Sequence, residues 1–78
     1  MTQLERIIAM EAAYDRALAA LAKGESAEDD LRALAAYMDS GDWLRDYEAD
    51  EQGRIPKDLK RGVLSQDGLY NLLEEVRE

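Results

Sequence analysis

The sequence has no cysteine, no histidine and no phenylalanine, and it has one proline and one tryptophan in 78 residues. Each absence closes a class of chemistry. Without cysteine there is no disulfide to staple a small fold and no thiolate to hold a metal. Without histidine the usual proton shuttle near neutral pH is missing, and with cysteine also gone a zinc site of the nitrogen or sulfur type is excluded. The hydroxyl residues are Thr2, Ser26, Ser40 and Ser65. Each stands where a helix cap is wanted, so they read as caps rather than nucleophiles. No glycine-rich run resembles a phosphate loop. Carboxylates are plentiful, but 18 acids on so small a surface come into pairs by chance, so their proximity does not argue for acid–base catalysis. These exclusions lead to the expectation of a non-enzymatic chain with no cofactor and no metal.

Basic residues are also scarce. Ten Lys and Arg against 18 Asp and Glu give a net charge of −8. Such a surface repels phosphate backbones and anionic lipid, so direct binding to nucleic acid or membrane is disfavoured. No stretch approaches the roughly 20 apolar residues of a membrane span. The opening MTQLERII lacks a basic segment followed by an apolar run, and a cytoplasmic location is expected.

What is present is helical patterning. A chain of this length makes one small domain over residues 1–78. Alanine supplies 12 of its 36 apolar residues, so the core must be thin and helix-packed, or else extend across an interface. Thr2 and Glu5 form a T-x-x-E capping box. Leu4, Ile7, Met10, Tyr14, Ala17 and Leu21 follow at alternating steps of three and four, and Ile8 and Leu18 widen this seam. Gly24 suits a left-handed helix stop. Ser26 is expected to cap a second helix with Glu28, Asp29 and Asp30 in its first turn and Ala27, Leu31, Leu34 and Met38 on its apolar stripe. The link Gly24–Glu25 makes the two helices an antiparallel hairpin.

Beyond Gly41 the composition changes. Residues 40–73 hold the only Trp, the only Pro and four of the five Gly. A third helix is expected over about residues 42–51, stopped by Gly53, with Trp43, Leu44 and Tyr47 on one side. Pro56 suits the start of a short turn or helix reaching Arg61 and stopped by Gly62. Ser65 then caps a last helix carrying Leu69, Leu72, Leu73 and Val76. The fold class is all-α: an N-terminal antiparallel hairpin followed by short helices and a C-terminal helix.

Three features of this region bear on function. The segment from Glu48 places Gly53 and Ile55 at positions six and eight of a calcium loop. However, Pro56 falls at position nine and Leu59 replaces the bidentate Glu at twelve, so no calcium site is expected. Arg54, Lys57, Lys60 and Arg61 make a basic island on an acidic chain, able to receive an anion or an acidic partner unless Asp46, Glu48, Asp50 and Glu51 neutralise it. Among the aromatics, Trp43 and Tyr70 read as structural anchors, with Trp43 packed on the last helix near Tyr70 or Leu73. Tyr47 lies beside the island, and Tyr37 lies off the apolar stripe as a surface contact candidate.

The run SGDWLRDYEADEQGRIPKDLKRGVLSQDGLYNLL resembles the C-terminal half of the small bacterial proteins grouped as domain of unknown function 4298. The WLxDYEAD, PxDLKRGVLS and DGLYxLL blocks carry the likeness over Ser40 to Leu73. The resemblance implies a compact bacterial, cytosolic protein and assigns no substrate, cofactor or catalytic residue. Together these readings favour a protein–protein interaction module whose partner is another protein or a second copy of the chain. Runner-up readings are an anion- or ligand-sensing module using the basic island, and an acidic mimic of nucleic acid.

Overall fold

The computed structural model describes residues 1–65 and 67–76. Its elements are α1 (Gln3–Ala22), α2 (Glu28–Asp39), α3 (Asp42–Glu51), a single 3-10 turn (Gly62–Leu64) and α4 (Gly68–Val76), with no strand among the described residues. The chain is all-α, as the periodicity predicts. None of these helices is long and apolar enough to cross a membrane.

Local chemistry sets the helix limits. The Thr2 hydroxyl accepts from the Glu5 N–H at 3.2 Å, and the Glu5 carboxylate accepts from the Thr2 N–H at 2.8 Å, completing the capping box. At the other end, Gly24 takes φ +73°, and Glu25 donates back to the Ala20 carbonyl at 2.8 Å. Gly53, at φ +74°, closes α3 the same way, with Arg54 donating to the Ala49 carbonyl at 2.9 Å. Both are left-handed stops that a side chain would strain.

The α1–α2 link is longer than the two residues expected, running from Lys23 to Ala27. The stop at Gly24 draws Glu25 into its own hydrogen bond, so the chain needs further residues before α2 can begin. Ser26 consequently does not cap that helix. Ala27 occupies the cap position with no side-chain bond, and Glu28, Asp29 and Asp30 complement the positive end of the helix instead. Arg16 near the end of α1 pairs with Asp30 at the start of α2. Arg6 near the start of α1 meets the same carboxylate as Tyr37 near the end of α2. These pairings run the two helices antiparallel.

The core contains Ile7, Ala13, Ala17, Leu34, Ala49, Ile55, Val63, Leu64, Leu69, Leu72 and Leu73. The outer ends of the expected seam do not join it: Leu4 is 41% exposed and Leu21 38%, and the widening residues Ile8 and Leu18 are also exposed. With 20 residues, α1 outruns the 12 of α2, and its first turn meets α3 through Gln3 and Arg6 instead.

Residues 56–61 form a turn and not a helix, closed by the Leu59 N–H donating to the Pro56 carbonyl at 3.1 Å. Buried Ile55 on one side and buried Val63 on the other hold its ends. Gly62, expected as a stop, opens the 3-10 turn that drives Val63 and Leu64 into the bundle. The Ser65 hydroxyl accepts from the Gly68 N–H at 3.2 Å, capping α4 as expected.

Candidate functional site

Buried polar groups come first, because an isolated carboxylate in an apolar interior is costly and must find partners. Asp46, on α3, is fully buried. One of its oxygens accepts from Gln3 at 3.0 Å and from an Arg6 terminal nitrogen at 2.6 Å; the other accepts from Arg6 Nε at 3.0 Å and from the Tyr37 hydroxyl at 2.6 Å. This carboxylate therefore joins α1, α2 and α3 at one point. Burial alone would raise its pKa, but the hydrogen bonds from Arg6, Tyr37 and Gln3 outweigh that and hold it below the ordinary carboxylate value. Burial, and then the bond to Asp46, push the Tyr37 hydroxyl far above the ordinary phenol value.

Two sequence expectations change here. Tyr37 is only 5% exposed, so it is a core residue and not a surface contact. Asp46 does not neutralise the basic island, because it faces the opposite way, toward Arg6. The sequence signal for this tie lies on α1, where Gln3 and Arg6, three residues apart, share one side of the helix and both reach Asp46.

A second buried acid, Glu11, accepts from the Val63 N–H at 2.7 Å. The Val63 carbonyl accepts from Trp43 Nε1 at 2.9 Å. Both backbone groups of a fully buried valine are thus held by side chains from two different helices. Trp43 is half-buried, stacked on Tyr47 with ring centroids 5.0 Å apart. Its indole N–H anchors the 3-10 turn, and the ring packs on the core cluster to which Leu69, Leu72 and Leu73 of α4 belong. Tyr70 is 57% exposed and is therefore no anchor.

The basic island is divided. Lys60 reaches back to Asp15 of α1 at 2.8 Å, and Arg61 pairs with Asp50 of α3 while also donating to the Lys57 carbonyl. Arg54 and Lys57 are exposed and have no ion pair among the described residues. Of the four acids expected to neutralise the island, only Asp50 does so; Asp15, 45 residues away from Lys60 in the chain, supplies the other carboxylate. The pairing raises the Lys60 pKa through the Asp15 hydrogen bond. Tyr47 remains half-exposed, committed by its stack to Trp43.

A largely apolar surface lies between α2 and α4. A depression of about 480 Å3 lies between the end of α1, the α2 face and α4, with Leu21, Ala27, Leu31, Ala35, Leu73 and Val76 in its lining. A second, of about 260 Å3, shares Leu73 and continues along α2 and α4 past Met38, Asp39, Tyr70 and Glu74. No cluster of acids able to hold a metal ion occurs among the described residues.

The architecture defines a small all-helical bundle with a polar tie at one end and an apolar groove along one side. The chain matches the family model described as Domain of unknown function (DUF4298) over residues 2–78, and it belongs to that family. The match takes in α1 and α2 as well as the motif-bearing half from Ser40 onward. No curated protein and no solved structure shows significant similarity to the chain.

Proposed function

We propose that this chain is a non-enzymatic protein–protein contact module of the bacterial cytoplasm. The observation that carries the reading is the apolar groove between α2 and α4, whose lining includes Leu21, Leu31, Ala35, Leu73 and Val76. Apolar surface of this kind gains free energy when a partner excludes water from it. The buried acids have other tasks: Asp46 holds three helices together and Glu11 holds the 3-10 turn.

The anion-sensing alternative rests on Arg54 and Lys57, since Lys60 and Arg61 are engaged by Asp15 and Asp50. An acidic mimic of nucleic acid calls for an unbroken array of carboxylates, whereas Arg16, Arg32 and Arg45 sit among the exposed acids as ion pairs.

Affinity capture from the native host separates these readings. The wild-type chain is expected to retain a partner protein that is lost on Ala35→Arg, with Tyr70→Asp at the exposed far end as a second variant that spares the core. Arg54→Glu with Lys57→Glu is expected to leave capture intact. Loss of capture in the Arg54/Lys57 variant alone would move the contact to the island. Sedimentation distinguishes a second copy of the chain from a different partner.

A further inference from the structure

We infer that the α2–α4 groove receives a basic amphipathic helix of the partner protein. This deepens the protein-contact reading and rests on it. The floor comes from Ala27, Leu31, Ala35 and Met38, spaced by four, four and three residues and so aligned along one face of α2. Leu73 of α4 faces both depressions and joins them into one trough. From Ala27 to Met38 the trough follows α2 for about 16 Å, at about 1.5 Å per residue, which is the length of three helical turns. Both walls are helices whose backbone groups are hydrogen-bonded internally. They offer no open edge for an added strand, whereas side-chain ridges can enter between them.

The lip of the trough sets the charge of the occupant. At one end Glu28 and Arg32 both line the trough and pair with each other at 3.4 Å, so that end is balanced. At the other end Asp39 and Glu74 are exposed and have no cation within ion-pair distance among the described residues. Among the described residues the lip is therefore net negative around an apolar floor, through Asp39 and Glu74. Lys or Arg flanking a stripe of Leu-type residues would meet it with complementary charge, and acidic flanks would be repelled. Tyr70, more than half exposed beside Leu73, offers an aromatic face to one of the partner's cationic heads.

The test uses two synthetic peptides of about twelve residues, matched to the trough at about 1.5 Å per residue. They carry the same Leu stripe, with Lys flanks in one and Glu flanks in the other. Binding to the full chain is followed by methyl NMR. The Lys peptide is expected to shift the methyls of Leu31, Met38, Leu73 and Val76, to bind about tenfold or more tighter than the Glu peptide, and to weaken as salt rises. Asp39→Lys with Glu74→Lys alters two exposed residues and is expected to abolish or invert that preference at an unchanged melting temperature. Equal binding of both peptides, or a preference that survives the charge reversal, overturns the basic partner and leaves the contact module standing. Absence of shifts with either peptide overturns the helix-in-groove inference. The contact reading itself falls only if the groove variants also leave native capture unaffected.

Discussion

Replacing Asp46 by Ala tests whether a single buried carboxylate closes this fold. The substitution removes the acceptor of four hydrogen bonds, from Gln3, from two nitrogens of Arg6 and from Tyr37. Breaking a buried pair by deleting one partner costs about 3–5 kcal/mol. The Arg6 side chain is 23% exposed and can turn its head toward water, which places the expected cost near the lower end, about 3 kcal/mol. Tyr37 has no such escape, because it is buried on α2 and its hydroxyl loses its acceptor. A chain of this size has a total stability of about 4–12 kcal/mol at roughly 0.05–0.15 kcal/mol per residue, so the loss is a large share of the whole. The assay is urea unfolding followed by far-ultraviolet circular dichroism, with Tyr37→Phe and the double variant completing a cycle. Tyr37→Phe alone is expected to cost about 1 kcal/mol. The double variant should cost less than the sum of the two singles, since a phenylalanine ring in place of Tyr37 leaves no unsatisfied hydroxyl once Asp46 is gone. An Asp46→Ala cost below about 1 kcal/mol, or strict additivity in the cycle, would refute the argument that this carboxylate ties the helices together.

Acid unfolding should report the same group. The Asp46 pKa is depressed in the folded state, so its contribution is fully present above the ordinary carboxylate value and is lost as pH falls through the lower folded-state value. Melting temperature against pH should therefore drop steeply at the acid end in the wild type, and more shallowly in Asp46→Asn. Trp43→Phe keeps an aromatic ring on Tyr47 but strands the Val63 carbonyl, with an expected cost of about 1–2 kcal/mol in urea unfolding. Gly68→Ala would drive a methyl into the Ser65 hydroxyl and place it 2.7 Å from the Tyr14 hydroxyl. Loss of the Ser65 cap and displacement of Tyr14 should cost about 1–3 kcal/mol, whereas Ala at an ordinary exposed helix position would stabilise. Lys60→Glu with Arg61→Glu breaks both ties of the Pro56 turn and sets a new carboxylate against Asp15; a lowered melting temperature is expected, and an unchanged one would show that these pairs contribute nothing.

Helix limits were legible in the sequence wherever a local rule governs them. The Thr2–Glu5 box, the stops at Gly24 and Gly53 and the span of α3 all follow from cap and left-handed-turn chemistry, which involves residues only a few positions apart. The failures are long-range. Tyr37 lies off the Leu31–Leu34–Met38 stripe, and nothing nearby in sequence says that Asp46 will meet its hydroxyl across the corner at Gly41. Lys60 and Asp15 are 45 residues apart, so nothing local to the island pairs them. Ser26 failed for a different reason: the Gly24 stop carries its hydrogen bonding through Glu25 and shifts the next helix start by a residue.

The rare residues of the second half look like the marks of a binding site, yet the structure gives most of them mechanical roles. Trp43 and Glu11 grip the two backbone groups of Val63. Gly68 lets α4 begin against Tyr14 and Ser65. Arg61 and Lys60 fasten the Pro56 turn to α3 and α1. A chain that draws a third of its apolar residues from alanine has little large-side-chain area with which to hold a core, so it needs such specific ties to fix a 3-10 turn inside a helical bundle. Unusual composition here marks a difficult piece of architecture. The surface left free of that work is the plain apolar side of α2, with Leu31, Ala35 and Met38 facing Leu73. The α2 residues among them carry no motif, and they line the groove on which the proposed contact rests.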